Sequence, residues 1–337
     1  MSFPAGKETI EPYLSNIDQL AWAREAELTS GAGRGNRVID VDNGSGLRFS
    51  ISPDRGMDIV EASFKGVPFV FRTPGGNRSR MEYDPAGLGW LRTWQGGLMT
   101  TCGLRSVGTP DADFGLHGRI DNLPAEDVGI TRGWSAGSYR IEVKGSVREA
   151  AMFGENLRLD RSISTSFGQN AISVHDRVTN LGAERDCIQI VYHCNFGYPF
   201  VSPRLKLDLP PHKVTPRDEN AALDLANWMH MPEPSGDNPP EQCFFHDLPA
   251  DSRGNAVFSM ENQDAGFRIC LVYDTRTLPR LCQWKLFRRN MYVMGVEPTN
   301  ATLNGRAADI ASGDAFFLNP GESIDFHVRF LFEPLGN

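Results

Sequence analysis

The chain is short of several things that would decide its class at once. No apolar run approaches the length needed to cross a bilayer, so a helical membrane protein is not expected. Met1 to Leu20 lacks the basic start and apolar stretch of a secretory signal. No dense block of Lys and Arg occurs, and 34 basic against 42 acidic residues leave a formal charge of −8. Nucleic acid is therefore not expected as the main partner, because neutralising phosphates requires clustered cations. A small anionic ligand held by one or two arginines stays open. Cysteine is sparse and without pattern: Cys102, Cys187, Cys194, Cys243, Cys270 and Cys282 show no CxxC spacing. Free buried thiols in a reducing compartment follow more readily than disulfides or a zinc site, which makes a cytoplasmic location the expectation.

Long amphipathic helices are missing too. The 34 glycines and 22 prolines fall at short intervals, which suits strands and turns. Leu47, Phe49 and Ile51 alternate with Arg48 and Ser50, and Phe326, Val328, Phe330 and Phe332 share one face, leaving Asp325, His327 and Arg329 opposite. Ile172 and Val174 alternate with Ser173 and His175 in the same way. Such strands must pair and cover one another, so an all-β fold, a large antiparallel β-sandwich, is predicted. With 40% hydrophobic residues over 337 positions, a substantial core is available. We expect a single domain over 1–337, with residues 1–35 as an N-terminal extension. Two short helices are signalled, one after Ser15 and one from Asn220 to His230 behind Asp218, and 232–240 reads as a Pro-rich loop.

Three segments carry proton-handling side chains at or near the ends of strand-like runs: Gly115-Leu116-His117-Gly118-Arg119, Tyr192-His193-Cys194-Asn195-Phe196 and Gly295-Val296-Glu297-Pro298. Alternation sets Gln189, Val191 and His193 on one face, and Met291, Val293, Gly295 and Glu297 on one face of another strand. Gly295 leaves room beside the carboxylate, and Pro298 is expected to stop the strand after it. A buried carboxylate is costly unless paired or used, and two imidazoles with one carboxylate suit general acid–base work. Trp94, Gln95, Gly96 and Gly97 add an aromatic, glycine-rich stretch that permits close approach of a flat polyhydroxylated ring. Arg55 in Asp54-Arg55-Gly56-Met57-Asp58, Arg119 beside His117, and Lys285 after Trp284 are further candidates for contact with a ligand. His175, His212, His230, His246 and His327 read as structural.

The order His, His, Glu with these neighbours resembles the aldose 1-epimerase (galactose mutarotase-like) family. His117-Gly118 matches the family's first His-Gly. His193 matches its second histidine, with the following aromatic, Phe196, shifted by one. Glu297 stands in the Glu-Pro form of several bacterial members, and Leu318-Asn319-Pro320-Gly321-Glu322 resembles the closing turn. Leu47 to Gly66 resembles the opening strands. Asp54-Arg55-Gly56-Met57-Asp58 and Thr101-Cys102-Gly103-Leu104 mark a bacterial branch set apart from the well-studied mutarotases.

The resemblance implies a galactose mutarotase-like supersandwich and interconversion of the anomers of a free monosaccharide. It implies Glu297 as the base on the anomeric hydroxyl and His193 as the acid on the ring oxygen. His117, Arg119, Arg55, Trp94 and Lys285 are then expected to bind substrate, with no cofactor or metal needed. Three alternatives stand beside it: a metal-assisted or other sugar isomerase on the same fold, with His117, His193 and Glu297 as ligands; a sugar-phosphate mutarotase using Arg55, Arg105 and Arg119; and a non-enzymatic carbohydrate-binding protein. The oligomeric state is not legible.

Overall fold

A computed structural model describes residues 6–336. The first sheet is built from β1 (Trp22–Glu27), β2 (Arg37–Asp42), β3 (Leu47–Ser52), β4 (Asp58–Phe64) and β5 (Val67–Pro68), in that order. The chain continues through β6 (Thr100–Leu104), β7 (Ala125–Ser135), β8 (Ser138–Ala150), β9 (Asn156–Ser166), β10 (Gln169–Asn180) and β11 (Asp186–Gly197). Next come β12 (Lys206–Leu207), β13 (Lys213–Pro216), β14 (Gln242–Asp247), β15 (Asn255–Asn262) and β16 (Phe267–Asp274). The last are β17 (Arg280–Arg288), β18 (Met291–Thr299), β19 (Phe316–Leu318) and β20 (Ser323–Pro334). An eight-stranded sheet runs β12-β15-β16-β20-β10-β9-β8-β7, and a second sheet runs β13-β14-β17-β18-β11-β19 with β6 also paired to β11. The pairings between neighbouring strands of these sheets are antiparallel, as the alternating patterns predict.

Period-two alternation explains how the layers stack. From β10 and β20, Val174, Val178, Phe326 and Phe330 enter one buried cluster with Ile188, Ile190 and Tyr192 of β11 and Met294 and Val296 of β18. Burying side chains of this size contributes roughly 1.5–3 kcal/mol each. The opposite face of the second sheet carries Val191, Val293, Cys243 and Cys282, packed in a smaller cluster with Trp90 and Trp94. One face therefore builds the core, and the other is left to build a site. Between the eight-stranded sheet and the first sheet, Arg161 is fully buried. It donates to both carboxylate oxygens of Asp176, to Asp58 and to the Thr101 hydroxyl.

Local details differ from expectation for identifiable reasons. Trp22–Glu27, expected within an extension, pairs with β2 as the edge strand of the first sheet. Its charged residues hid it, because edge strands tolerate exposed charge on both faces. Asn16, not Ser15, caps a 3₁₀ turn at Ile17–Gln19, accepting from the Asp18 N–H at 2.9 Å. Asp218 does cap a helix, accepting from the Ala221 N–H at 3.0 Å, but that helix ends at Leu223. Asp224 then takes up the Asn227 and Gln242 side-chain amides, which holds the chain in a 3₁₀ turn at Leu225–Asn227 instead of further helix. Residues 232–240 carry no regular element beyond an isolated bridge at Ser235. All six cysteines are free and buried. Among the described residues, no helix is long and apolar enough to cross a membrane.

Candidate active site

The site's floor follows from strand register. β11 lies between β6 and β18, and its pairing of Val191 with Thr299 and Cys194 with Val296 sets His193 opposite Glu297. The two side chains share the face turned away from the main core. His193 Nε2 lies 3.3 Å from Glu297 Oε1, and both side chains are about 95% buried. The contact is not aligned as a hydrogen bond, and Glu297 Oε1, His193 Nδ1 and Asn195 Oδ1 are all buried without a protein partner. An unpaired buried polar atom costs roughly 1–3 kcal/mol, and of these residues His193 and Glu297 line a cavity, so the free Glu297 oxygen marks a place for a hydrogen-bonding ligand.

Gly295 makes this placement feasible. A Cβ there would meet Glu297 Oε1 at 2.5 Å and the Trp284 Cβ at 3.1 Å.

Burial governs the protonation of the pair. It pushes the Glu297 carboxyl up to about 8, against the opposing pull of the Arg217 cation. The same desolvation pushes His193 down to about 4. Both groups are thus driven neutral, and the 3.3 Å contact is not a standing ion pair at neutral pH. Between those limits the pair holds one proton, resident on the carboxyl. One group can give a proton while the other offers a lone pair, and a general acid–base site needs that combination.

The walls are aromatic. His193 lies edge-on to His117, with ring centroids 5.6 Å apart, and packs against Trp94 at 5.2 Å and Trp284 at 5.4 Å. Trp90 stacks on Trp94 at 4.9 Å and touches the His117 ring at 4.8 Å. His117 sits in the left-handed region with φ 60°. Gly118 follows with φ 69°, where a Cβ would strike the carbonyl oxygens of Ser106 and Gly103 at 2.5 and 2.6 Å. The Gly108 N–H donates to His117 Nδ1 at 3.4 Å, so the neutral ring carries its proton on Nε2. Burial, with the nearby His193 and Arg217, lowers His117 to about 3 and keeps it a fixed neutral donor. A cavity of about 510 Å³ is lined by His117, His193, Glu297, Trp90, Trp94 and Trp284, among others. That volume falls in the range of small-molecule sites.

Four of the residues expected at the site therefore meet: Glu297, His193, His117 and Trp94. Three do not line this cavity. Arg55 is buried beneath it, donating to the Asp121 carboxylate at 3.4 Å and to the carbonyl oxygens of Asp121 and Thr93. Asp121 in turn accepts from Trp90 Nε1 at 3.0 Å, so Arg55 props the aromatic wall from behind. Arg119 is exposed and engaged through its backbone, its N–H donating to Gly103 O and its carbonyl oxygen accepting from the Asn122 N–H. Lys285 fails by alternation: its neighbour Trp284 faces the cavity, so Lys285 points to the opposite face. There it donates to the carbonyl oxygens of Asn227 and Trp228, and burial lowers it to about 8.

Sequence reading missed Arg217 and Glu241. Arg217 bonds to Asp218 and Glu241, and Glu241 accepts from Trp284 Nε1 at 2.9 Å. Pro216 ends β13 just before Arg217-Asp218, which leaves a cation at a strand end, but nothing local marks its pairing with Glu241; β18, by contrast, runs through Pro298 to Thr299. Among the described residues, no group of three or more His, Cys, Asp or Glu side chains is arranged to hold a metal ion.

The family profile described as "Domain of unknown function (DUF4432)" matches residues 33–331. The chain belongs to this DUF4432 family. A search of curated proteins gave no match. Among solved structures, the chain resembles a "putative aldose 1-epimerase" from Klebsiella pneumoniae subsp. pneumoniae MGH 78578, with a TM-score of 0.86 and 25% identity. The match covers 95% of this chain and 86% of that one. It also resembles a galactose mutarotase-like protein from Clostridium acetobutylicum, with a TM-score of 0.65 and 16% identity over 94% of this chain and 100% of the other. A third is galactose 1-epimerase from Lactobacillus acidophilus NCFM, with a TM-score of 0.61 and 12% identity over 94% and 100%. This DUF4432 member thus has the galactose mutarotase-like fold.

Proposed function

We propose that this DUF4432 protein interconverts the anomers of a reducing sugar by opening and reclosing its ring. The observation that carries the reading is the buried His193–Glu297 pair, 3.3 Å apart in an aromatic-walled cavity. Passing the pair's single proton across that gap gives a carboxylate and an imidazolium without exchange with solvent. Glu297 then takes the proton of the anomeric hydroxyl while His193 gives its proton to the ring oxygen. The ring C–O bond breaks, the anomeric carbon becomes a carbonyl, and the pair returns to carboxylic acid and neutral imidazole. Rotation about the adjacent C–C bond and the reverse transfers close the ring as the other anomer. His117 Nε2–H supplies a fixed donor to the sugar, and Trp94 and Trp284 supply apolar faces for the ring. The free thiols suit a reducing cytoplasm as the setting.

The test is anomer exchange followed by NMR on a panel of free aldoses, with wild type and His193→Ala, before and after exhaustive chelation. Wild-type exchange should survive chelation, and His193→Ala should lose on the order of 10²–10⁴ in rate. Chelator-sensitive exchange restored by one added metal would overturn the acid–base account. Binding without exchange would make the protein a carbohydrate-binding module.

A further inference from the structure

The catalytic cavity does not end at its aromatic wall. A second chamber, of about 740 Å³, shares Leu91, Trp94, Glu241 and Trp284 with it. The two spaces therefore adjoin, with the paired indoles, 5.9 Å apart between centroids, between them. A single pyranose ring is accommodated by the first space alone, and the second is itself large enough for a further ligand unit. Its walls are apolar on one side, from Phe71, Leu286 and Met291.

The charges on the other side do not cancel. Three arginines and two glutamates line the chamber. Glu82 is taken by Arg78 at 2.9 Å, and Glu241 by Arg217 at 3.2 Å, from the catalytic side. Arg288 donates through Nε to the Pro239 carbonyl oxygen, a neutral partner, and Arg92 is exposed on the rim. Among the described residues, neither Arg92 nor Arg288 forms an ion pair with a carboxylate. Two guanidinium groups thus face one chamber uncompensated, in a protein whose overall charge is −8. Guanidinium forks match the paired oxygens of a carboxylate, sulfate or phosphate.

We propose that the substrate is a reducing sugar extended beyond its ring by a unit ending in an oxyanion, with that unit seated between Trp94, Trp284, Arg92 and Arg288. The orientation, with the reducing end against Glu297 and His193, rests on the mutarotase reading above. The oxyanion site itself rests on the second chamber. Glu241, at the junction, has its carboxylate engaged by Arg217 and the Trp284 indole, which offsets its charge there.

Calorimetric binding tests this without relying on turnover. The probes are two pairs: cellobiose against the same disaccharide with a glucuronate as its non-reducing unit, and glucose against glucose 6-phosphate. The acidic member of at least one pair should bind about tenfold more tightly at low salt, an advantage that shrinks as salt is raised. The pair with the larger gain tells whether the oxyanion belongs on a second ring or on the first. In Arg92→Gln, whose exposed position keeps folding out of the comparison, the acidic-to-neutral affinity ratio should fall towards one, and further in Arg92→Gln/Arg288→Gln. Equal affinities within both pairs would overturn the proposal, as would a gain that survives the double substitution. Anomer exchange of the neutral sugars, measured alongside, reports on the mutarotase reading separately. Exchange without an acidic preference removes only the second chamber, and an acidic preference without exchange removes only the chemistry.

Discussion

Replacing Gly295 with alanine tests whether the position of the carboxylate matters, without touching its chemistry. The added methyl carbon would stand 2.5 Å from Glu297 Oε1 and 3.1 Å from the Trp284 Cβ. Trp284 is fixed by its strand and by Glu241, so the freer carboxylate must yield. Reaching an ordinary contact of about 3.4 Å requires a displacement of roughly 0.9 Å, and misplacement of about 1 Å can cost about 10² in rate. That corresponds to about 2.7 kcal/mol of barrier. We expect kcat for anomer exchange to fall by about that factor, with KM changed far less, because the ring-binding walls stay where they are. NMR exchange rates over a concentration series give both constants, and a thermal melt shows that the variant is folded. A folded Gly295→Ala protein with kcat within about a factor of two of wild type would refute the claim that Glu297 acts from its observed position.

Three further outcomes follow from the same structure. The one-proton state of the pair lasts from about pH 4, where His193 gains a second proton, to about pH 8, where Glu297 loses its own. A pH profile of kcat/KM should therefore be flat between those limits and fall outside both, and an acid limb near pH 6.5 would contradict the burial argument. Glu297 titrates near 8 in the fold against an ordinary 4.5, so its stabilising contribution is complete below about pH 4.5 and is lost as pH rises through 8. Glu297→Gln should accordingly gain in melting temperature relative to wild type between about pH 5 and pH 9, and a constant difference would show that the carboxyl is not desolvated. Arg161→Met strands the buried carboxylates of Asp176 and Asp58 and should cost about 3–5 kcal/mol in urea unfolding. A loss below about 1 kcal/mol would mean that the cluster relaxes.

The parts of the fold that were legible in the sequence are those where a period of two is the whole story. β11 and β18 are buried on both faces, yet the alternating direction of strand side chains put His193 and Glu297 on faces that the register then brings opposite each other. The order of the three motifs pointed to one site, and Gly295 beside Glu297 was readable as space. One kind of residue misled. Arg55 and Lys285 carry charges that suggest ligands, yet both are buried and engaged by backbone carbonyls, and only three-dimensional partners reveal that. Lys285 was also within reach of the alternation rule, since Trp284 and Lys285 cannot share a face. Arg217 and Glu241 were unreadable as a pair: they are 24 residues apart on either side of a Pro-rich loop, and nothing local announces that the loop brings them together. The first strand was masked for the opposite reason, because an edge needs no apolar pattern.

The central claim is that Glu297 moves the proton of the anomeric hydroxyl. Its most direct test is NMR exchange between the anomers of a bound sugar on Glu297→Gln, with affinity measured on the same sample. Glutamine keeps the shape and reach of the side chain but cannot accept the proton, so the account predicts exchange reduced to the uncatalysed rate with affinity nearly retained. Exchange at the wild-type rate in that variant would contradict it.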